Sequence, residues 1–515
     1  MVIRRTSIRA IHDERKTRRI GYLFLHSGLF FVTVVGSLWG AVADSSALPD
    51  AFQSEDSLWE VQLGTHQYTI PRIDNGRIFI GINDRELKHP VLKRTGGGIV
   101  MCLEQATGEM VWQLAIPRYM EGKQPPFHFN HWQCGVCSRP EVEGKRLYIV
   151  GPRGDVLCLD RNGQADGNNG PFLNETEYMG IERDSGYQLS KTDGDIVWRF
   201  DMIKELSVVP HDVCGSTPLL HSDYLYVCTS NGMDDTHKNV ANPLAPSLIV
   251  LDKNTGRLVA TDGELIGKRM FHGHWSSPAA TEIGGRPMII FGGGDGLLYA
   301  FEPLESSKGD DKTRTLKKIW QYDCNPFDYH EQNGQKIPYS SWNRKSPEGP
   351  SEIIATPVID KGRIYLAIGQ SPIHGPGKGM LSCIDASTGR KIWESRLVGR
   401  SLSNAAIQDG LLYISDFTGR LHCFNADTGE HYWQHELGAG VWCASPFLLD
   451  SKVYISTERN ELWIFKADRE KQMLSRCRLK SMAITPAVQN GVFYFPTQSR
   501  LLALKIKSIP SQMSN

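Results

Sequence analysis

One short phrase returns along the whole chain and restricts it to architectures built from copies of a single unit. The clearest copies are Cys383-Ile384-Asp385-Ala386-Ser387-Thr388-Gly389-Arg390-Lys391-Ile392-Trp393, Cys423-Phe424-Asn425-Ala426-Asp427-Thr428-Gly429-Glu430-His431-Tyr432-Trp433 and Cys102-Leu103-Glu104-Gln105-Ala106-Thr107-Gly108-Glu109-Met110-Val111-Trp112. Each reads as a strand, an acidic turn closed by Thr-Gly, and a second strand ending in Trp. Units of about 40 residues with four strands are propeller blades. A second landmark opens each unit, a step usually ending in Pro: Ile70-Pro71, Arg139-Pro140, Thr217-Pro218, Ser277-Pro278, Thr356-Pro357, Ser445-Pro446 and Thr485-Pro486, with Asn404-Ala405 in the remaining slot. Eight openings predict an all-β, eight-bladed β-propeller. The last unit runs out before its Trp strand, and Trp59-Glu60-Val61-Gln62-Leu63 is expected to supply it. That pairing would remove the open edges a ring of sheets otherwise leaves.

Composition fits short strands and tight turns, with Gly 50, Pro 27 and 40% hydrophobic residues. The first 43 residues differ. Arg4, Arg5, Arg9, Arg15, Lys16, Arg18 and Arg19 precede an apolar stretch from Tyr22 to Ala43 that ends Ala41-Val42-Ala43. A basic head, apolar middle and small-x-small finish read as a signal peptide cut before Asp44; the alternative is an uncleaved N-terminal anchor. The expected organisation is 1–43 signal peptide, 44–56 linker, 57–507 propeller and 508–515 tail. The whole chain carries 57 Lys+Arg and 57 Asp+Glu. With the basic head removed the body is mildly acidic, which excludes nucleic acid as the expected partner. Membrane contact is expected only if the N-terminal segment is retained, and the location is exported: periplasm or cell envelope.

Cys102, Cys158, Cys383 and Cys423 share one slot of the repeat, held by Ala300 and Ala503 in other units, so a small buried packing role is expected. Cys134-Gly135-Val136-Cys137 has redox spacing, but Ser138 stands where a haem-attachment site needs His, and no second CxxC completes a zinc site. Trp59, Trp112, Trp198, Trp320, Trp393 and Trp433 close their units and are expected to dock on neighbouring blades. Another group, Trp132, Trp275, Trp342 and Trp442, lies in segments leading into new blades, together with His128, His131, His211, His272 and His274. In a propeller those segments emerge on one face around the central channel, where loops carry binding. These nine residues are the candidate ligand face. Phe271-His272-Gly273-His274-Trp275 is its sharpest part, since alternate residues of an extended segment point the same way. His272 and His274 are therefore read as a pair able to share a metal or an anionic ligand, or to serve as acid or base near neutrality, with no metal site assigned. No catalytic residue is assigned. Asn231-Gly232-Met233-Asp234-Asp235-Thr236-His237 lacks the length and closing acid of a calcium loop and reads as a solvated turn.

The Ala/Cys-x-Asp-x-x-Thr-Gly-x-x-x-Trp phrase resembles the tryptophan-docking repeat of pyrroloquinoline-quinone-type propellers, over nearly all of 57–507. The resemblance implies one of two activities. One branch holds quinoprotein alcohol and sugar dehydrogenases, with pyrroloquinoline quinone and calcium in the funnel. The other holds cofactor-free binding propellers, including an envelope lipoprotein that assists outer-membrane protein assembly. The chain departs from both. No two cysteines are adjacent, as the stacked ring of alcohol-oxidising members needs, no local motif places a calcium carboxylate, and no Cys near Ala43 offers a lipid site. The expectation is a binding module for a small-molecule ligand or envelope protein, with a quinone-dependent oxidoreductase as the alternative.

Overall fold

Most second and third strands of the repeat are unbroken apolar runs, such as Ile78-Phe79-Ile80 and Leu147-Tyr148-Ile149-Val150, each residue fully or almost fully buried. A strand apolar on both faces needs cover on both, and a ring of sheets stacked blade on blade supplies it. The computed structural model describes residues 57–119, 130–306, 312–339, 349–442 and 444–505. It contains eight antiparallel blades, seven of them sheets of four strands. Blade three gains a fifth, parallel strand, Arg314–Thr315, from the loop joining the third and fourth strands of blade four. Among the described residues the helices are single turns, the longest being Met202–Leu206. The expected signal peptide, linker and tail, and His128 and Trp342 of the candidate face, lie outside the described residues.

Ring closure follows the expectation. Ser57–Gln62 pairs antiparallel with Arg500–Lys505 and becomes the outer strand of blade eight, with Val61 opposite Leu501 and Glu60 opposite Leu502. Arg500 and Glu60 add an ion pair across the seam.

The repeat phrase has a physical explanation in each blade. In blade five, Asp385 Oδ1 accepts hydrogen bonds from Thr388 N (2.8 Å), Thr388 Oγ1 (2.8 Å) and Ser387 Oγ (2.6 Å), which close the turn. Gly389 then sits at φ +69° with the Trp320 indole of blade four against it; a Cβ there would stand 2.5 Å from the ring. Trp320 Nε1 donates to Ala386 O at 3.0 Å. The other closing indoles, Trp59, Trp112, Trp198, Trp393 and Trp433, make the same kind of bond to the next blade, onto Gln105, Arg161, Lys253, Ala426 and Asp468 carbonyls. The Cys slot lies directly across the sheet from the indole: Cys102 faces Trp112, Cys158 faces Trp198, Cys383 faces Trp393 and Cys423 faces Trp433. A small residue is needed there because its cross-strand partner is the largest side chain available. Among the described residues no cysteines form a disulfide, Cys134 and Cys137 included.

First strands of neighbouring blades approach one another around the axis. The segments leading into them meet in an axial apolar core: Tyr68, Cys134, Cys137, Val213, Trp275, Ile354, Leu402, Met482 and Ile484, with Phe417 and the partly buried Trp132 and Trp442. Every blade contributes, so the centre of the ring is packed with side chains at this level.

Candidate functional site

Three segments converge beside that core. His211 lies in the approach to blade three, where Pro210 bridges Asn231 and His211 N donates to Ser230 O at 3.1 Å. The long loop between the second and third strands of blade three then runs alongside the approach to blade four. Gly232 bridges Gly273, and Met233 N donates to His272 O at 2.9 Å. Gly232 passes between the two histidine segments so closely that a Cβ would stand 2.5 Å from the Cβ of His211. Beyond it, Asp234 builds a turn: its Oδ1 accepts from Thr236 N at 3.0 Å, and its carbonyl accepts from His237 N at 3.0 Å. Hydrogen bonds from Thr236 hold the Asp234 carboxyl below its usual range. His237 adopts φ +54°, and the turn folds its ring back over the loop.

Three imidazoles therefore meet. Ring centroids are 4.6 Å apart for His211 and His272, 4.7 Å for His211 and His237, and 5.2 Å for His237 and His272. Each offers a ring nitrogen within 4.8 Å of the others; His211 and His272 are buried and His237 half-buried. His211 Nδ1 lies 2.8 Å from Met233 O. Trp275 meets His272 edge-on at 5.4 Å and donates from Nε1 to His211 O at 3.2 Å, tying the cluster to the axial core.

The approach to blade five extends the site. Tyr339 stacks on Phe271 at 5.9 Å and lies 5.8 Å from His272 and 5.0 Å from His374, all ring to ring. Its hydroxyl donates to Glu352 Oε1 at 2.9 Å, and that oxygen stands 3.9 Å from His272 Nδ1. Glu352 is fully buried, and burial pushes its carboxyl up to about 8. Fully buried Arg400 carries the charge that opposes this shift, while its own value is lowered by desolvation.

The structure separates the residues of the expected ligand face. His211 and His272 come together with Trp275. His274 does not share a ligand with His272: its Nδ1 accepts from Gly294 N at 3.0 Å and its Nε2 lies 2.8 Å from Ser247 Oγ. The segment bends at Phe271 and His272, just before the Gly273 bridge, so strand alternation does not apply. Burial drives His274 down to about 3, leaving a neutral ring that fastens blade three to blade four. His131 is exposed and meets the edge of Trp132 at 5.1 Å, ring to ring. Trp132 and Trp442 pack on the rim of the axial core. His237, Tyr339, Glu352 and His374 were not expected at the site. The solvated-turn reading of 231–237 had discarded the one strong signal among them, a fourth histidine close in sequence to the others.

A fit to pyrroloquinoline quinone with calcium asks for hard oxygen donors and a flat slot. Around His272 the donors are imidazole nitrogens, the nearest carboxyl is the one raised to about 8, and the axial level is filled by Trp275 and its neighbours. The residues around His272 do not match that pair.

The propeller has known relatives. A family model described as outer membrane protein assembly factor BamB matches residues 50–260 and 377–508. The BamB of Yersinia pestis is 22% identical over 316 residues, 56% of this chain and 68% of that protein. The BamB of Shewanella oneidensis is 26% identical over 125 residues, 24% of this chain and 27% of that protein. Among solved structures, BamB from Moraxella catarrhalis superposes with a TM-score of 0.51 at 14% identity, covering 89% of this chain and 99% of that one. Quinohemoprotein alcohol dehydrogenase from Comamonas testosteroni gives 0.52 at 10% identity, over 92% and 80%. At such identities the structures show the fold alone. The blades, the docking indoles and the family match together place this chain in the PQQ-like β-propeller repeat family whose model is described as outer membrane protein assembly factor BamB.

Proposed function

We propose that this protein is an exported binding propeller of the cell envelope, holding a protein or small-molecule partner on the face where the blade-leading segments emerge. The observation that carries the reading is the filled axis. Side chains from every blade pack across the ring, and polar and aromatic groups from blades three to five gather against them on lengthened loops. Such a platform suits contact with a surface or chain laid across it, and elaborated loops on a rigid scaffold are where binding resides. The match to a family described as an outer-membrane assembly factor supports an envelope location and a polypeptide partner. The shared architecture of quinohemoprotein dehydrogenases is compatible with an oxidoreductase, but the nitrogen-rich donor set and packed axis favour binding.

The test is a titration of the folded chain with an unfolded outer-membrane β-barrel polypeptide, followed by tryptophan fluorescence. Saturable binding at micromolar concentration, lost in a Trp132→Ala/Trp442→Ala double variant that still folds, is expected. A flat response by the folded chain, with calcium-dependent quenching by pyrroloquinoline quinone instead, would transfer the assignment to the dehydrogenase branch.

A further inference from the structure

We infer that His211, His237 and His272 form a binding site for one divalent transition-metal ion, zinc being the best match. The site lies on the face proposed above for partner binding but rests on its own geometry.

The ligands come from three separate stretches of chain and still place one ring nitrogen each within 4.8 Å of the others. The tautomer of His211 is set by its surroundings. Nδ1 faces the Met233 carbonyl at 2.8 Å, so it carries the hydrogen and leaves the Nε2 lone pair as donor to a metal. Asp212 Oδ2 stands 4.0 Å from that same Nε2 and adds negative charge where a cation would sit. For His272, Glu352 Oε1 lies 3.9 Å from Nδ1, the side on which a metal-bound imidazole usually meets an acceptor oxygen. Nε2 is then the nitrogen turned to the ion when one binds. His237 is the adjustable member, half-buried at the end of the Asp234 turn.

Donor chemistry selects the ion. Three imidazoles without a carboxylate among them suit zinc, nickel, copper or cobalt, and are wrong for calcium or magnesium, which need oxygen. Three protein ligands leave a fourth tetrahedral position for water or for an anionic group of a partner. With zinc–nitrogen bonds of about 2.1 Å, the nitrogens of a tetrahedral site stand about 3.4 Å apart. Binding therefore draws together ring nitrogens that now lie within 4.8 Å of one another, and the contraction falls on the 234–240 loop.

The experiment uses the chelator-treated full chain and zinc alone, read by calorimetry, with cobalt(II) as a spectroscopic substitute. One ion per chain is expected, and cobalt should give the visible bands of a four-coordinate site. His237→Ala, whose ring is only half-buried, should fold normally and weaken zinc by about 100-fold, while Glu352→Gln should weaken it by about 10-fold. If His237→Ala is compromised, His237→Gln replaces it as the folded variant with the same expected loss. His330→Ala, whose ring lies 6.4 Å from Phe271 and whose Nε2 meets Asp323 Oδ2 at 3.1 Å, outside the cluster, should bind like the parent. No saturable zinc uptake by the folded parent, unchanged affinity in both His237 variants, or equal loss in His330→Ala would each overturn the site. Because no partner protein is present, these results are independent of whether the chain binds an envelope polypeptide.

Discussion

At the scale of single residues, the repeat is a steric arrangement of three positions. The closing indole needs a missing Cβ below it and a small side chain across from it. Gly429 provides the first: it lies at φ +75°, and a Cβ would come within 2.6 Å of the Trp393 ring. Gly410 has almost the same φ, +78°, with nothing within 4 Å. Alanine at Gly410 therefore carries only the left-handed backbone cost, about 1 kcal/mol. Gly429→Ala adds the displaced indole and should cost about 2 kcal/mol more, as overpacked core positions do. Chemical denaturation of the two variants side by side measures the difference; equal midpoints would mean the indole is not seated there. The Cys slot yields a second prediction. Burial pushes Cys102, Cys158 and Cys423 up to about 12 and Cys383 up to about 11. Almost no thiolate exists at neutral pH. Iodoacetamide should leave these four unmodified in the folded chain and label them all after unfolding, as peptide mass mapping would show.

At the scale of elements, the long loops depart most from what their sequence announces. The 161–195 excursion in blade two buries three carboxyls: Asp160, Glu175 and Asp195 all titrate high, burial being the largest cause in each. Asp195 is raised to about 6, fully buried, with Oδ2 accepting from Asn169 N at 2.9 Å. The sign follows from which state releases its proton first. Between about pH 4 and pH 6 the unfolded chain has lost it and the folded chain has not, so stability falls as pH rises, by at most about 1.4 kcal/mol per unit. Asp195→Asn keeps an acceptor for Asn169 and removes the charge. It should stabilise the protein by about 1 kcal/mol at pH 7.5 and not at pH 4, a gap visible in paired thermal melts. The histidine loop shows the same divergence between local and tertiary signals. His211 and His272 could be found from their place ahead of a blade, because the repeat fixes where such segments emerge. For His237 the sequence offered only a further histidine in a long loop; its place beside the others depends on Gly232 pairing with Gly273, a contact between loops of different blades. His274 was misplaced for the converse reason: an extended segment was read as regular strand, and it bends.

At the scale of the whole molecule, architecture was legible because it is written many times over. Blade number, indole docking and the borrowed outer strand all follow from periodicity, which averages out local exceptions such as Asn404-Ala405. The packed axis was not legible. Each blade contributes only one to three of its residues, and nothing in their local patterns says that they meet at the axis. Closure makes its own prediction. A chain beginning after Gln62 would leave Arg500–Lys505 as an unpaired edge. It should melt at lower temperature and associate, seen as larger species by size-exclusion chromatography that a peptide of residues 57–62 suppresses. The same seam has a consequence in time. Glu60 and Arg500 are 440 residues apart, so the first strand to leave the ribosome is the last to find its partner. Blades one to seven form from neighbours in sequence, whereas the eighth waits for both ends of the chain. Folding should thus finish with one slow step whose rate depends on the N-terminal strand alone, and until it is complete the nearly finished ring remains open to any chain that can lend it a strand.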